Sequence, residues 1–286
     1  MPVLSAQVER LIDLALDEDL FLGDATSEAT IDPAAEGEGI LLAKQELVLA
    51  GTEVACRVFE RLGASCRMEA RDGDRLGKGV TFGVARGSIR ALLAAERTAL
   101  NFLQRLSGVA TLTRRCSEAL ASTGGKTRLL DTRKTTPGWR RLEKDAVRVG
   151  GGVNHRFALG DGVLIKDNHV AACGGVGEAV RRARARAGAM LKIEAEVTDL
   201  AGLDEALSAR ADIVLLDNMD DASMAEAVRR TGGRALLEAS GNMTLERLPR
   251  VAATGVDFVS MRALTHSAVA VDISFEIAGL APDRGD

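Results

Sequence analysis

The sequence predicts an α/β protein in two parts, a mixed α+β unit over about the first 115 residues and a parallel α/β barrel after it. Three observations carry this expectation. The chain has 286 residues, nearly twice the roughly 150 of a typical domain, and a chain of this size buries about three quarters of its unfolded surface. Past Gly124-Gly125 a rhythm of apolar strand, polar residue, loop and amphipathic helix sets in and repeats. Strands such as Ile213-Val214-Leu215-Leu216 are apolar on both faces, which belongs to a parallel sheet covered by helices.

The elements follow in chain order. Ser5 caps a helix carrying Val8, Leu11, Ile12 and Ala15 at helical spacing, and a turn at Gly23-Asp24 follows. Short strands are expected at Ile40 to Ala43, Leu47 to Ala50, Cys66 to Ala70 and Val80 to Ala85, with Asp72-Gly73-Asp74 as a hairpin turn between the last two. From Ser88 the period becomes helical through Leu92, Ala95, Ala99, Leu100, Leu103 and Leu106. Gly108 is expected to break this helix from a second one ending near Ala121. The later strands are Thr127 to Leu130, Gly162 to Ile165, Leu191 to Val197, Asp212 to Leu216, Ala235 to Ala239 and Val256 to Ser260, with helices between them.

Each later strand ends in reactive side chains: Asp131 to Lys134, Lys166-Asp167, Glu196, Asp217, Glu238 to Ser240 and Ser260. In an α/β barrel the strand C-termini converge on one mouth that carries the active site. A doubly wound open sheet places residues similarly, and the regular spacing favours the barrel.

Composition excludes several classes. With 46% hydrophobic and 27% charged residues the chain is an ordinary globular protein. Its apolar runs fall far below the ~18 residues of a membrane span. Nothing at the N-terminus reads as a signal peptide, so a cytoplasmic location is expected. Cys56, Cys66, Cys116 and Cys173 never approach CxxC spacing and read as free thiols. His155, His169 and His266 form no HExxH pair. A net charge of −4 argues against a general nucleic-acid binder. The segment from Lys126 to Lys166 nevertheless holds ten Lys or Arg against four acids, which suggests a local anion site.

Gly125-Lys126-Thr127 is no phosphate loop, because the required first glycine is Leu120 and a strand follows instead of preceding it. The loop Thr132-Arg133-Lys134-Thr135-Thr136-Pro137-Gly138 sets a forked cation and a mobile one beside hydroxyls, a set suited to carboxylate or phosphate. Gly150-Gly151-Gly152, Asn154-His155-Arg156 and Lys166-Asp167-Asn168-His169 repeat the theme. Glu196 and Asp217 are either buried partners for these cations or magnesium ligands shared with a substrate diphosphate. Ser240-Gly241-Asn242 offers backbone N–H groups and a hydroxyl before a helix expected from Thr244, a usual address for phosphate. Such a mouth positions polyanions and lacks an obvious nucleophile; Schiff-base chemistry at Lys134 or Lys166, or anion binding without turnover, are the rival readings.

The sequence also resembles the quinolinate phosphoribosyltransferase family, from about Glu18-Asp19 to Asp272-Ile273-Ser274. Seven ordered motifs carry the resemblance: Glu96-Arg97-Thr98-Ala99-Leu100-Asn101 with Leu106-Ser107-Gly108, Asp131 to Gly138, Asn154-His155-Arg156, Lys166-Asp167-Asn168-His169, Leu216-Asp217-Asn218, Glu238 to Gly241, and Leu264-Thr265-His266-Ser267. The resemblance implies an N-terminal α/β sandwich domain over 1–114 and an incomplete parallel α/β barrel over 115–286, whose last residues pack back on the first domain. It implies transfer of phosphoribosyl from phosphoribosyl pyrophosphate to quinolinate with decarboxylation, giving nicotinate mononucleotide in NAD biosynthesis, with Mg2+ as cofactor. It further implies a homodimer with a shared active site, and neither nucleic-acid nor membrane partners.

By motif, Arg97 is donated across the dimer, while Thr132, Arg133, Lys134, His155, Arg156 and Lys166 form the dicarboxylate pocket. Glu196 and Asp217 face the ribose hydroxyls and the magnesium diphosphate, and with Lys134 and Lys166 they make the catalytic set. Ser240, Gly241, Asn242, Met261, Arg262 and Ala263 receive the 5′-phosphate. Two positions depart from the family pattern: Arg262 stands where glycine is common, and Asp145 where an aromatic is usual. A sister group associated with molybdenum uptake shares the frame, and intact Lys166-Asp167-Asn168-His169 with Thr135-Thr136 favours the quinolinate enzyme.

Overall fold

The computed structural model describes residues 4–278. Its chain forms two compact units from interleaved stretches: residues up to 112 with 136–150 and 268 onward, and residues 113–135 with 151–267.

In the first unit, helix α1 (Ala6–Leu20) starts at Ser5, whose hydroxyl accepts from the Val8 N–H, and it buries Val8, Ile12 and Leu16 at i, i+4 spacing. After α2 (Ala25–Thr30) come strands β1 (Glu36–Ala43) and β2 (Leu47–Val48), helix α3 (Thr52–Arg61), and strands β3 (Ser65–Met68), β4 (Arg75–Leu76) and β5 (Thr81–Ser88). An antiparallel sheet in the order β12-β1-β5-β3 is completed by β12 (Ile273–Ile277) from the far end of the chain. β3 and β5 pair antiparallel, as expected, from Ser65 opposite Arg86 to Met68 opposite Gly83, and the Asp72-Gly73-Asp74 turn lies in the connection between them. It leads into β4, which pairs with β2, because Asp72 is drawn to the start of α3 by the N–H groups of Gly51 and Thr52 and the Thr52 hydroxyl.

Two expectations are corrected here. Cys56 on α3 and Cys66 on β3 are joined as a disulfide, so only Cys116 and Cys173 are free thiols. Spacing along the chain concealed this pairing: α3 turns straight back into β3, bringing the two Cα atoms to 5.1 Å. Gly108 does not end a helix either. Helix α4 runs unbroken from Ile89 to Ala121, and its buried face carries Leu92, Ala95, Ala99, Leu103 and Leu106 as the period predicts. Gly108 is there because the Val269 carbonyl lies where a Cβ would stand. Helix α5 (Arg140–Val149) closes this unit; its Glu143 is fully buried and accepts from Arg105 Nη2 at 2.7 Å and from both the N–H and hydroxyl of Thr136.

The second unit is built on strands β6 (Arg128–Leu130), β7 (Val163–Ile165), β8 (Ile193–Val197), β9 (Ile213–Asp217), β10 (Leu236–Ser240) and β11 (Phe258–Ser260). All pair in parallel in the order β6-β11-β10-β9-β8-β7, leaving the sheet open between β7 and β6 as an incomplete barrel. Helices α6 (Asp167–Cys173), α7 (Val176–Arg186), α8 (Leu200–Ser208), α9 (Asp221–Thr231), α10 (Leu248–Ala253) and α11 (Ala263–His266) follow the strands. Val214, Leu216, Leu237, Ala239 and Val259 fill the helix-covered side.

Gly108 gives a direct test. In an unobstructed helix Gly→Ala stabilises by about 0.5–1 kcal/mol. Gly108→Ala is expected to destabilise instead, by about 1–3 kcal/mol from overpacking, read as a lowered Tm; a raised Tm refutes the close approach.

Candidate active site

Side chains two residues apart on a strand share a face, so Glu194 and Glu196 on β8, Leu215 and Asp217 on β9, and Glu238 and Ser240 on β10 point the same way. That face opens on a cavity of about 840 Å³ lined entirely by the second unit. The cavity is large enough for a drug-sized ligand. Thr132, Arg133, Lys134, His155, Arg156, Lys166, Glu196, Asp217, Ser240, Gly241, Asn242, Met261, Arg262 and Ala263 all line it. Of the residues singled out from sequence, Arg97 is the exception. It is exposed on α4 within the first unit.

The base of the cavity is acidic and buried. Asp131, fully buried at the end of β6, accepts from Asn154 Nδ2 at 2.6 Å and from the His155 N–H at 2.8 Å. His155 Nε2 is 2.9 Å from Glu194 Oε2 and 3.5 Å from Glu238 Oε2. Glu194 and Glu238 are 4% and 1% exposed. Burial first, then the neighbouring Glu194, holds the Glu238 carboxyl well above the ordinary carboxylate range, against a hydrogen bond from Ser260 that favours ionisation. The sequence places Glu238 among the reactive strand-end residues without a role of its own in the site, and does not single out Glu194. Each lies two positions before a residue that was singled out, Glu196 and Ser240, and that alternation was the available signal.

Above this base the cations gather. Burial and the charge of Arg133 depress the Arg156 guanidinium below its ordinary value, and Arg156 Nη1 donates to the Gly162 carbonyl at 2.9 Å. Arg133 Nε is buried with no hydrogen-bond partner among the described residues. Lys134 is placed through its backbone: its N–H donates to Thr132 Oγ1 at 3.0 Å and its carbonyl accepts from the buried Thr265 hydroxyl at 2.7 Å. Lys166 heads α6, its N–H donating to His169 Nδ1 at 3.0 Å. Burial raises the half-buried Glu196 carboxyl, with Lys166 opposing and Asp217 reinforcing the shift. Lys134 and Lys166 are both exposed, unlike the desolvated lysines of Schiff-base enzymes. Burial pushes the Cys116 thiol up to about 11, which removes it as a nucleophile.

At the opposite side, the loops after β9 and β10 lock together. Gly241 has φ +91°, and a Cβ there would run into Asn218. Asn218 and Asn242 are themselves left-handed, at φ +54° and +48°, and Asn242 Nδ2 donates to Asn218 Oδ1 at 3.1 Å. The helix expected from Thr244 starts at Leu248, since residues 244–247 form a turn. Arg262 has φ −61°, a conformation open to any L residue, and its exposed side chain adds a cation to the cavity wall without backbone strain.

Comparison with known proteins bears on this site. The family model described as quinolinate phosphoribosyl transferase, C-terminal domain, matches residues 109–276, and its N-terminal counterpart matches residues 24–107. A probable nicotinate-nucleotide pyrophosphorylase [carboxylating] of Bacillus subtilis is 42% identical over 274 residues, 95% of this chain and 93% of the relative. A quinolinate phosphoribosyltransferase [decarboxylating] of Nicotiana tabacum is 40% identical over 93% of this chain and 81% of its own. The solved nicotinate-nucleotide pyrophosphorylase from Francisella tularensis superposes with a TM-score of 0.92 at 38% identity, covering 96% of this chain and 97% of that one.

The buried acid makes stability depend on pH. The unfolded chain releases the Glu238 proton at ordinary carboxylate pH while the folded chain keeps it, so this group withdraws stability as pH rises from that range towards its elevated folded value. In Glu238→Gln the withdrawal is absent: the Tm difference, variant minus wild type, is expected to grow from pH 5 to pH 8.5, and a pH-independent difference contradicts a retained proton.

Proposed function

The chain belongs to the quinolinate phosphoribosyltransferase family, and on that premise we propose that it is the decarboxylating enzyme, taking quinolinate and phosphoribosyl pyrophosphate to nicotinate mononucleotide, carbon dioxide and pyrophosphate. The observation that carries the substrate assignment is the Arg133–Arg156 pair. Two guanidinium groups near enough to oppose each other's charge, one with a buried Nε lacking a partner among the described residues, make a receptor for a planar anion with adjacent carboxylates.

In this reading Arg133, Arg156, His155 and Lys166 hold the pyridine dicarboxylate with its ring nitrogen towards the ribose. The nitrogen attacks the anomeric carbon as the bond to pyrophosphate breaks, through an oxocarbenium-like transition state. Glu196 and Asp217 supply negative charge beside that developing cation, electrostatic preorganisation that contributes several kcal/mol. The nitrogen thereby becomes a pyridinium, the electron pair of the breaking carbon–carboxylate bond stays on the ring carbon where the adjacent positive nitrogen stabilises it, carbon dioxide leaves, and that pair takes up a proton. Ser240, Gly241, Asn242 and the turn Met261 to Ala263 receive the 5′-phosphate.

Glu196 and Asp217 suit Mg2+ held jointly with a substrate: both are half-buried, and the charge of one reaches the other. Mg2+ is commonly bound by one or two carboxylates plus substrate phosphates rather than in an all-protein cage. Bound there, it would neutralise charge on the departing pyrophosphate. Arg97, exposed on α4, is the residue that a second copy of the chain would contribute in a homodimer. No helix among the described residues is long and apolar enough to cross a membrane.

An assay with Mg2+ and phosphoribosyl pyrophosphate, offering quinolinate and nicotinate in parallel, is expected to give nicotinate mononucleotide with equimolar carbon dioxide from quinolinate alone. Product from nicotinate, or from neither, refutes the assignment. Arg133→Ala and Lys166→Ala should each lower kcat/KM about a hundredfold or more with the fold retained, and full activity in both excludes this pocket. Mixing inactive Arg97→Ala and Lys166→Ala chains should restore part of the activity; no recovery excludes a site shared between copies.

A further inference from the structure

At the base of the cavity three groups are arranged more closely than substrate contact requires. His155 Nδ1 accepts the Arg156 backbone N–H at 2.7 Å. A ring nitrogen that accepts carries no proton, so the imidazole is the Nε2–H tautomer and donates to Glu194 Oε2 at 2.9 Å. The His155 backbone N–H is held by Asp131. A hydrogen-bonded chain therefore runs from Glu238 through Glu194 and His155 to the backbone of Arg156. Glu194 and Glu238 each bury one further oxygen that has no partner among the described residues. A half-satisfied acid pair is costly in stability and stands beside a functional site for another reason.

We propose that the Glu194–Glu238 pair is a positioning device: it holds His155 in the Nε2–H tautomer and thereby sets Arg156 beside Arg133 for a pyridine-2,3-dicarboxylate. The last clause rests on the substrate reading given above. The same three side chains bring donor atoms within 4.8 Å of one another, a spacing that a metal ion could use. A His155–Glu194 separation of hydrogen-bond length, and burial that keeps a proton on Glu238, favour the hydrogen-bonded state.

Glu194→Met keeps most of the side-chain bulk and removes the oxygen that accepts from His155 Nε2–H. In this variant KM for quinolinate is expected to rise about tenfold or more, KM for phosphoribosyl pyrophosphate to change less than about twofold, and the 15N imidazole shifts of His155 to leave the Nε2–H pattern. Glu238→Gln, which can still donate to Glu194, should move the same quantities less. Unchanged quinolinate KM with an unchanged tautomer overturns the proposal. So does an equal rise in both KM values with a large drop in Tm, which marks a merely structural role, or one equivalent of metal retained through EDTA dialysis. If wild-type protein fails to turn over quinolinate, the substrate reading falls by itself, and the His155 tautomer in the two variants still decides the clamp.

Discussion

A carboxylate removed from water is tolerated only when donors meet its oxygens, and Asp131 meets that condition with two donors from a single loop. That requirement brings residues 154–156 against the end of β6. Arg133 lies two residues beyond Asp131 in the chain, and Arg156 directly follows His155, whose N–H Asp131 holds. One buried acid thus sets the backbone of both arginines, and the anion-binding character of the cavity follows from it. Glu143 repeats the principle within the first unit, where a fully buried carboxylate is saturated by Arg105 and by the N–H and hydroxyl of Thr136.

The parallel strands add order by alternation. Inward positions near the strand ends carry Lys166, Glu196, Asp217 and Ser240, charged or polar groups that face the cavity. One step deeper on β8 and β10 sit Glu194 and Glu238, shielded from water and bonded to His155 or to each other. The outer layer meets ligand, while the inner layer fixes the side chains that do. A mouth arranged this way binds polyanions with little reorganisation, which is how electrostatic preorganisation lowers a barrier without a nucleophile.

Much of this was legible in the sequence because it rests on local rules. The period-3.6 face of α4, the Ser5 cap, all six strands of the parallel sheet and the convergence of reactive residues at their C-terminal ends follow from backbone geometry that each segment imposes on itself. All the singled-out site residues except Arg97 line one cavity. The ordered motifs identified the family for the same reason: residues at strand ends are fixed in order by the chain.

What tertiary structure alone decided concerns approach between distant segments. Gly108 reads locally as a helix breaker, yet it is a contact point for the Val269 carbonyl inside a continuous helix. Cys56 and Cys66 carry no motif, and only the return of α3 into β3 brings their sulfurs together. Asp72 turns the chain towards α3, so β4 joins β2 within the connection between the antiparallel neighbours β3 and β5. Glu194 and Glu238 come from strands more than forty residues apart in the chain, and their meeting with His155 is invisible to any local period. Sequence by itself determined the elements, their order and the ends from which chemistry arises, since these depend on short-range periodicity. Which groups share a proton, a bond or a van der Waals boundary was decided by the fold, because those interactions depend on distance in space and on exclusion of water.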